Sequence, residues 1–492
     1  MSTDQETTLN RKQSRRVPKG KLGCMTCRRR KVKCDETKPI CKRCGLLQLP
    51  CIGSLYAGCT PSPPVSHNIP TVSLQGAECL PSSGSISRDG LIQISQYVML
   101  KEVLPKEWHF VESRQFIRSV IQPYLMKTQL IPNATSIGYS TDPKSPAKMD
   151  GLIACTLALR VAIASVQNGN RIKPCRNPSN SHIWNRLYRH INGAIESINH
   201  ALAAEDSGPD FTILENINSL RQVEIVLQSH TWRSHSEAYL QLLRMYFTNL
   251  LGTLSTRYAT NTHDLMFEVI MSETVSPPKT HLAGISRFSR AEILSVVSSN
   301  CHPGLPCPST LLQEILAVTE LRQRIAAATI TGRSLDAEIM AVFRRIEAFV
   351  PETWTESYPI PDVLETRRLA QIFKESVALY ALATLPTDTL PTMMPLQLLI
   401  DKKRDNLCTL IDSIWANRKC RVSLNWPLAV VGYAMATGSA VQQRRICTFL
   451  DNIAMDPLIN HSLMIKERLV RFWASGKKAW DECWQDGFAV IY

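Results

Sequence analysis

The sequence predicts a small cysteine-rich module that folds around metal, a linker without regular structure, and a large all-α domain. Three observations carry this reading. Six of the sixteen cysteines fall between Cys24 and Cys51. Residues 52–90 are rich in Pro, Ser and Gly. From about residue 91 apolar residues recur at helical spacing, and strand alternation is almost absent.

The first 51 residues hold 14 Lys and Arg against 4 Asp and Glu, whereas the other 441 hold 42 against 38. Most of the net charge of +14 therefore sits in about one tenth of the chain, as expected of a segment that meets a polyanion. Residues 1–23 read as a basic, disordered arm. Within it, "RKQSRRVPKGK" (11–21) suits a nuclear-import patch or an arm laid on phosphates or in a minor groove.

The opening residues lack the apolar run of a secretory leader, so a reducing compartment is expected. "LIACTLALRVAIASV" (152–166) is interrupted by Arg160. Like "WPLAVVGYAMATGSA" (426–440), it is shorter than the roughly 20 apolar residues of a membrane span. Both read as buried core helices, and no membrane partner is expected.

The cysteine segment, "CMTCRRRKVKCDETKPICKRCGLLQLPC", has the spacing C-x2-C-x6-C-x6-C-x2-C-x6-C and also carries eight Lys and Arg. In a reducing compartment such a cluster points to metal rather than disulfides. A C-x2-C pair lets both thiolates reach one ion, as in structural zinc sites. Two tetrahedral zincs offer eight positions, and six thiolates fill them when two bridge. The internal symmetry, two halves of C-x2-C-x6-C, makes Cys24 and Cys41 the bridges. One Zn²⁺ then takes Cys24, Cys27, Cys34 and Cys41, and the other takes Cys41, Cys44, Cys51 and Cys24. The thiolate core is left at −2, which the surrounding Lys and Arg partly balance, favouring the thiolate form. A segment this short cannot bury an apolar core, so metal must supply most of its folding free energy.

This spacing, the basic loop "RRRKVK" (28–33) and "KPIC" (38–41) resemble the fungal Zn(2)-Cys(6) binuclear-cluster DNA-binding domain. The resemblance implies two short helices around two zincs, the first opening at the first C-x2-C and pointing its end into the major groove. It assigns Lys31, three places before the third cysteine, to base edges of a CGG-type triplet, with Arg30 beside it as a second base-contact candidate. Arg28, Arg29, Lys33, Lys42 and Arg43 would hold phosphates and set register. Pro39 matches the proline that turns the chain between halves. A module for single-stranded nucleic acid would want stacking aromatics, yet no Phe, Trp or Tyr lies between Cys24 and Cys51.

After Cys51 many members of that family carry a coiled coil. Here residues 52–90 show no sustained heptad and read as a disordered linker. A homodimer on DNA, allowed by the family pattern, gains no support from them.

Residues 91–492 read as the all-α domain, with helices expected near 108–127, 149–167, 182–204, 211–229, 233–251, 309–327, 333–349, 362–384, 396–416, 427–437, 440–454 and 460–485. Ser181 and Asp210 are placed to cap two of them. "LQSHTWRSHSEAYLQLL" (227–243), "CPSTLLQEILAVTEL" (307–321) and "LNWPLAVVGYAMATGSAVQQRRICTFLDNI" (424–453) resemble the fungal-specific regulatory domain that accompanies many zinc clusters. Trp232, Trp426, Trp473, Trp480 and Trp484 read as core, the last three on one helix face. Cys301, His302 and Cys307 lack a fourth ligand and read as incidental. His190, His230 and His235 read as satisfied or surface residues. No nucleophile elbow, phosphate loop, dinucleotide fingerprint or metalloprotease helix occurs, so no catalysis is expected.

Together these readings describe a nuclear, sequence-specific DNA-binding regulator of RNA polymerase II genes. Its expected partners are double-stranded DNA and the transcription machinery or its co-regulators. Roles in metabolic or secondary-metabolite pathways are common in the resembled family.

Overall fold

A computed structural model describes residues 27, 32–35, 41–43, 106–123, 146–167, 170–171, 181–203, 211–229, 231–246, 256–297, 307–356, 363–386, 395–455 and 461–490. The expected arm (1–23) and linker (52–90) lie outside the described residues. The chain divides into two compact units, Met1–His67 and Asn68–Tyr492.

Among the described residues the second unit is helical apart from one hairpin of two-residue strands, β1 (Val166–Gln167) against β2 (Asn170–Arg171). Its first layer holds α1 (Lys106–Phe116), a π turn (Ile117–Ile121), α2 (Pro146–Ala164), α3 (Ser181–Ala203) and α4 (Phe211–Val226). Ile153, Leu157 and Val161 of α2 interleave with Ile183, Leu187 and Ile191 of α3 and Leu220 and Val223 of α4. Helix α2 is apolar nearly all round because α1, α3 and α4 enclose it, as expected for 152–166. No helix among the described residues is long and apolar enough to cross a membrane.

Arg160 of α2 is buried because Glu112 of α1 accepts from it at 2.7 Å, and Glu112 also takes Arg186 of α3 at 2.7 Å. Burial alone would raise the Glu112 carboxyl. Coulombic attraction to Arg160 and hydrogen bonds from both arginines outweigh it and hold the carboxyl below its ordinary value.

The larger layer comprises α5 (Trp232–Tyr246), α6 (Thr256–Thr274), α7 (Arg290–Val297), α8 (Ser309–Ala326), α9 (Gly332–Ala348), α10 (Pro351–Glu356), α11 (Val363–Thr384), α12 (Leu396–Ile414), α13 (Arg418–Arg421), α14 (Asn425–Ala434), α15 (Ala440–Ala454), α16 (His461–Ser475) and α17 (Trp480–Cys483). Helix α14 is the hub, packed by α11, α12, α15 and α16, with Trp426, Leu428, Ala429, Val430 and Val431 all buried. Gly432 permits that closeness, since a Cβ there would collide with Leu469 of α16. Helix α15 starts on a capping box in which Gln442 N donates to Ser439 Oγ at 3.3 Å and Ser439 N to Gln442 Oε1 at 2.9 Å.

Residues 460–485 do not form the single helix expected. Gly476 adopts φ +68°, which ends α16 and redirects the chain into α17. Trp473, Trp480 and Trp484 thus share no helix face, though Trp480 and Trp484 are buried. Trp480 Nε1 donates to Thr274 O at 2.7 Å, Trp426 Nε1 to Thr274 Oγ1 at 2.9 Å, and Trp473 Nε1 to Gly432 O at 2.9 Å. The chain beyond α17 stays against α6, where Val490 N donates to Ser272 Oγ at 2.9 Å. Arg322 of α8 ties the same region by donating to Tyr380 Oη at 2.9 Å and Asp481 Oδ1 at 2.5 Å.

Helices α6, α7, α10 and α13 were not expected. Helix α6 carries the buried run "LMFEVIM" (265–271), apolar except for Glu268, which is itself buried and paired with Arg221, so no amphipathic period stands out. Helices α7, α10 and α13 are too short for periodicity to register. Ser181 is the first residue of α3, whereas Asp210, Cys301, His302 and His230 lie outside the described residues. Cys307 is buried in the core, and burial raises its thiol well above the ordinary value. His190 is buried between Asp150 Oδ1 at 2.7 Å and His109 Nδ1 at 2.9 Å, and His235 meets Glu224 at 2.8 Å.

Candidate metal centre and nucleic-acid interface

Of the six clustered cysteines, Cys27, Cys34 and Cys41 are described, and their sulfurs all lie within 4.8 Å of one another. Cys27 Sγ and Cys41 Sγ are 3.6 Å apart. Four thiolates on one tetrahedral zinc with Zn–S near 2.3 Å stand about 3.8 Å from each other, so this spacing fits thiolates sharing an ion. Cys27 and Cys41 are buried while Cys34 is partly exposed, and Val32 packs against them. Among the described residues, sulfur spaced for metal, with Val32 packed against it, makes up this small core. These three cysteines belong to one of the two expected ligand quartets. Cys24, Cys44 and Cys51 lie outside the described residues.

Local backbone bonds hold the three sulfurs in place. Cys27 is helical, and its carbonyl accepts from Val32 N at 3.0 Å, which turns the chain back toward Cys34. Lys42 and Arg43 are also helical, starting directly after Cys41. Asp35 Oδ1 accepts from Lys42 N at 2.9 Å and Asp35 Oδ2 from Arg43 N at 3.2 Å. The carboxylate therefore satisfies two opening N–H groups of that helix and faces the positive end of its dipole. Sequence reasoning missed Asp35. Its only signal was an acid placed directly after a metal-spaced cysteine inside a basic run.

Lys33, Lys42 and Arg43 are exposed around this core. Arg28, Arg29, Arg30 and Lys31 lie outside the described residues.

Residues 22–55 match the fungal Zn(2)-Cys(6) binuclear cluster domain, and residues 100–486 match the fungal specific transcription factor domain. The chain belongs to the fungal zinc-cluster transcription factors. This factor is 23% identical over 489 residues to the phomenoic acid biosynthesis cluster-specific transcriptional regulator of Leptosphaeria maculans, covering 94% of this chain and 88% of that one. Two further relatives match only a short stretch. The transcription activator AMTR1 of Alternaria alternata is 50% identical over 36 residues, 7% of this chain and 5% of its own. The transcriptional regulatory protein moc3 of Schizosaccharomyces pombe is 58% identical over 33 residues, 7% of this chain and 6% of its own. No solved structure matches. The factor is a zinc-dependent DNA-binding regulator of transcription, and its cluster domain carries two zinc ions.

Proposed function

We propose that this factor controls a secondary-metabolite gene cluster from the nucleus by docking its zinc cluster on a CGG-type triplet. The proximity of the three sulfurs carries this reading, because it fits a metal-built module with Lys33, Lys42 and Arg43 on its surface. Cys24, Cys27, Cys34, Cys41, Cys44 and Cys51 hold the two Zn²⁺, with Cys24 and Cys41 bridging. Lys31, joined by Arg30, reads base edges. Arg28, Arg29, Lys33, Lys42 and Arg43 hold phosphates. The chain is organised as a basic arm (1–23), the cluster (24–51), a linker (52–90) and a helical regulatory domain (91–492). The factor acts by binding rather than catalysis. Its partners are duplex DNA, a second copy when two triplets are present, and co-regulators that meet the helical domain. The pathway class is supported by the name of the Leptosphaeria maculans regulator that matches nearly the whole chain.

Genome-wide mapping of bound sites tests the reading, combined with metal analysis of the purified factor. Enrichment of CGG triplets upstream of clustered biosynthetic genes, with two zincs per chain, is expected. Binding that ignores triplet sequence, or one zinc per chain, defeats it.

A further inference from the structure

An aromatic and cationic ladder crosses the surface where the end of α12 meets α13 and α15. Trp415 and Phe449 lie with ring centroids 4.1 Å apart. The Arg421 guanidinium covers Trp415 at 5.1 Å from the ring centre, and that of Arg445 covers Phe449 at 5.7 Å. Arg421 is fixed further by donating to the Trp415 and Ala416 carbonyls, and Arg445 pairs with Asp412. Between Asp412 and Asp451 the chain holds five cations (Arg418, Lys419, Arg421, Arg444 and Arg445) and no Asp or Glu. The side chains of Lys419 and Arg444 have no hydrogen-bond or ion-pair partner among the described residues. Val441, one turn before Arg445 on α15, is 67% exposed.

We propose that this surface docks a partner protein through an acidic peptide whose carboxylates alternate with apolar side chains. Lys419 and Arg444 supply positive charge that no carboxylate among the described residues neutralises. Val441, three residues before Arg444 on α15, and the half-buried Trp415, four residues before Lys419, supply apolar surface. Guanidiniums already fixed over rings lose little ordering entropy when carboxylates arrive. Nucleic acid fits less well. Single strands need open ring faces, and the Trp415 ring already carries Arg421 and packs on Phe449. Duplex phosphates would gain nothing from Val441. The interaction lies outside the zinc cluster, so it is read independently of triplet recognition.

The test uses the full-length zinc-loaded factor and a fluorescent 16-residue peptide of alternating Glu and Leu pairs. Anisotropy is followed with excess duplex DNA present to occupy the cluster. Lys419→Glu with Arg444→Glu should weaken the peptide about tenfold, and Val441→Ser about threefold, against an unchanged melting temperature. Lys419→Gln with Arg444→Gln replaces the charge swap if that variant unfolds. Peptide affinity unaltered by these changes overturns the proposal, as does a wild type that binds no peptide. Loss from the charge change without loss from Val441→Ser reduces the surface to a general polyanion patch and also overturns it. A charge-swapped factor that loses duplex DNA but keeps the peptide assigns the surface to nucleic acid instead.

Discussion

Asp35 Oδ1 accepts the backbone N–H of Lys42 at 2.9 Å, while the other oxygen of the same carboxylate takes Arg43. One side chain in the middle of the cluster thus sets the start of the helix that carries two exposed cations. Replacing a capping carboxylate by alanine typically costs about 0.5–2 kcal/mol. Asp35→Ala should keep two zincs per chain yet release them several-fold faster to a chromophoric chelator. Asp35→Asn should restore most of the loss. Equal release rates in wild type and Asp35→Ala would refute this role.

Lys31 and Lys33 should separate specificity from affinity. Losing a base contact removes about 1–3 kcal/mol of discrimination, so Lys31→Ala should flatten the preference for CGG over a scrambled triplet. Lys33→Ala should weaken both sites alike and shallow the slope of log affinity against log salt by about one unit. Titrations on both sites over a range of salt check the pair. The assignment fails if Lys33→Ala abolishes the preference and Lys31→Ala leaves it intact.

Removing the metal should affect the two units unequally. Structural zinc provides most of the folding free energy of such modules, so chelation should weaken DNA binding by at least about a hundredfold. Among the described residues, Cys27, Cys34 and Cys41 form the only group of three or more His, Cys, Asp or Glu placed to hold an ion. The main thermal transition, reporting the helical cores, should therefore stay within a degree or two in the calorimeter. A large drop in that transition after chelation would show that the helical unit depends on metal.

Two buried groups give the helical domain a compensated pH response. Burial raises the Glu273 carboxyl to about 7, even though Leu282 N and Arg233 favour its charged form. Burial lowers the nearby His281 imidazole to about 4. A raised carboxyl stabilises most at low pH, and that contribution fades between the unfolded value near 4.5 and about 7. A lowered imidazole does the opposite, contributing above about 6.5 and losing its contribution as pH falls toward 4. Glu273→Gln should therefore gain stability relative to wild type as pH rises from 4.5 to 7, by up to about 1.4 kcal/mol per pH unit. Urea titrations at several pH values measure it. A variant that tracks wild type across that range places Glu273 with an ordinary carboxyl.

The contact between α14 and α16 should show strong coupling. Gly432→Ala places a methyl group into Leu469, and overpacking of this kind costs about 1–3 kcal/mol. Leu469→Ala empties a fully buried site, for about 2–5 kcal/mol. The double variant should lose less than the sum of the two, because each change makes room for or fills the other. Additive losses in chemical denaturation would show that the two residues do not share the space.

Much of this was legible because spacing alone encodes it. The cysteine intervals stated a metal site before any coordinates, and Cys27, Cys34 and Cys41 do converge. Long amphipathic helices such as α3, α5 and α9 were visible by their stripes. Helix α6 was not, since a helix buried on every side has no stripe to detect. Gly476 was equally silent, because a glycine near a helix end reads the same whether the helix passes or stops. Asp35 was hidden for another reason, as its partners are main-chain N–H groups that carry no residue identity.

The pairing of Trp480 with Thr274 has a consequence during synthesis. Those residues are 206 positions apart in the chain. At about 5–20 residues per second, a ribosome takes roughly 10–40 s to travel between them. For that interval the nascent α6, with its run of large apolar residues, lacks Trp480, and for the first 152 residues of it Trp426 is missing as well. Chaperone supply at the ribosome exit therefore bears directly on how much working regulator a cell accumulates. Slowing translation across residues 275–480 would lengthen the exposed interval and lower the yield without altering a single amino acid.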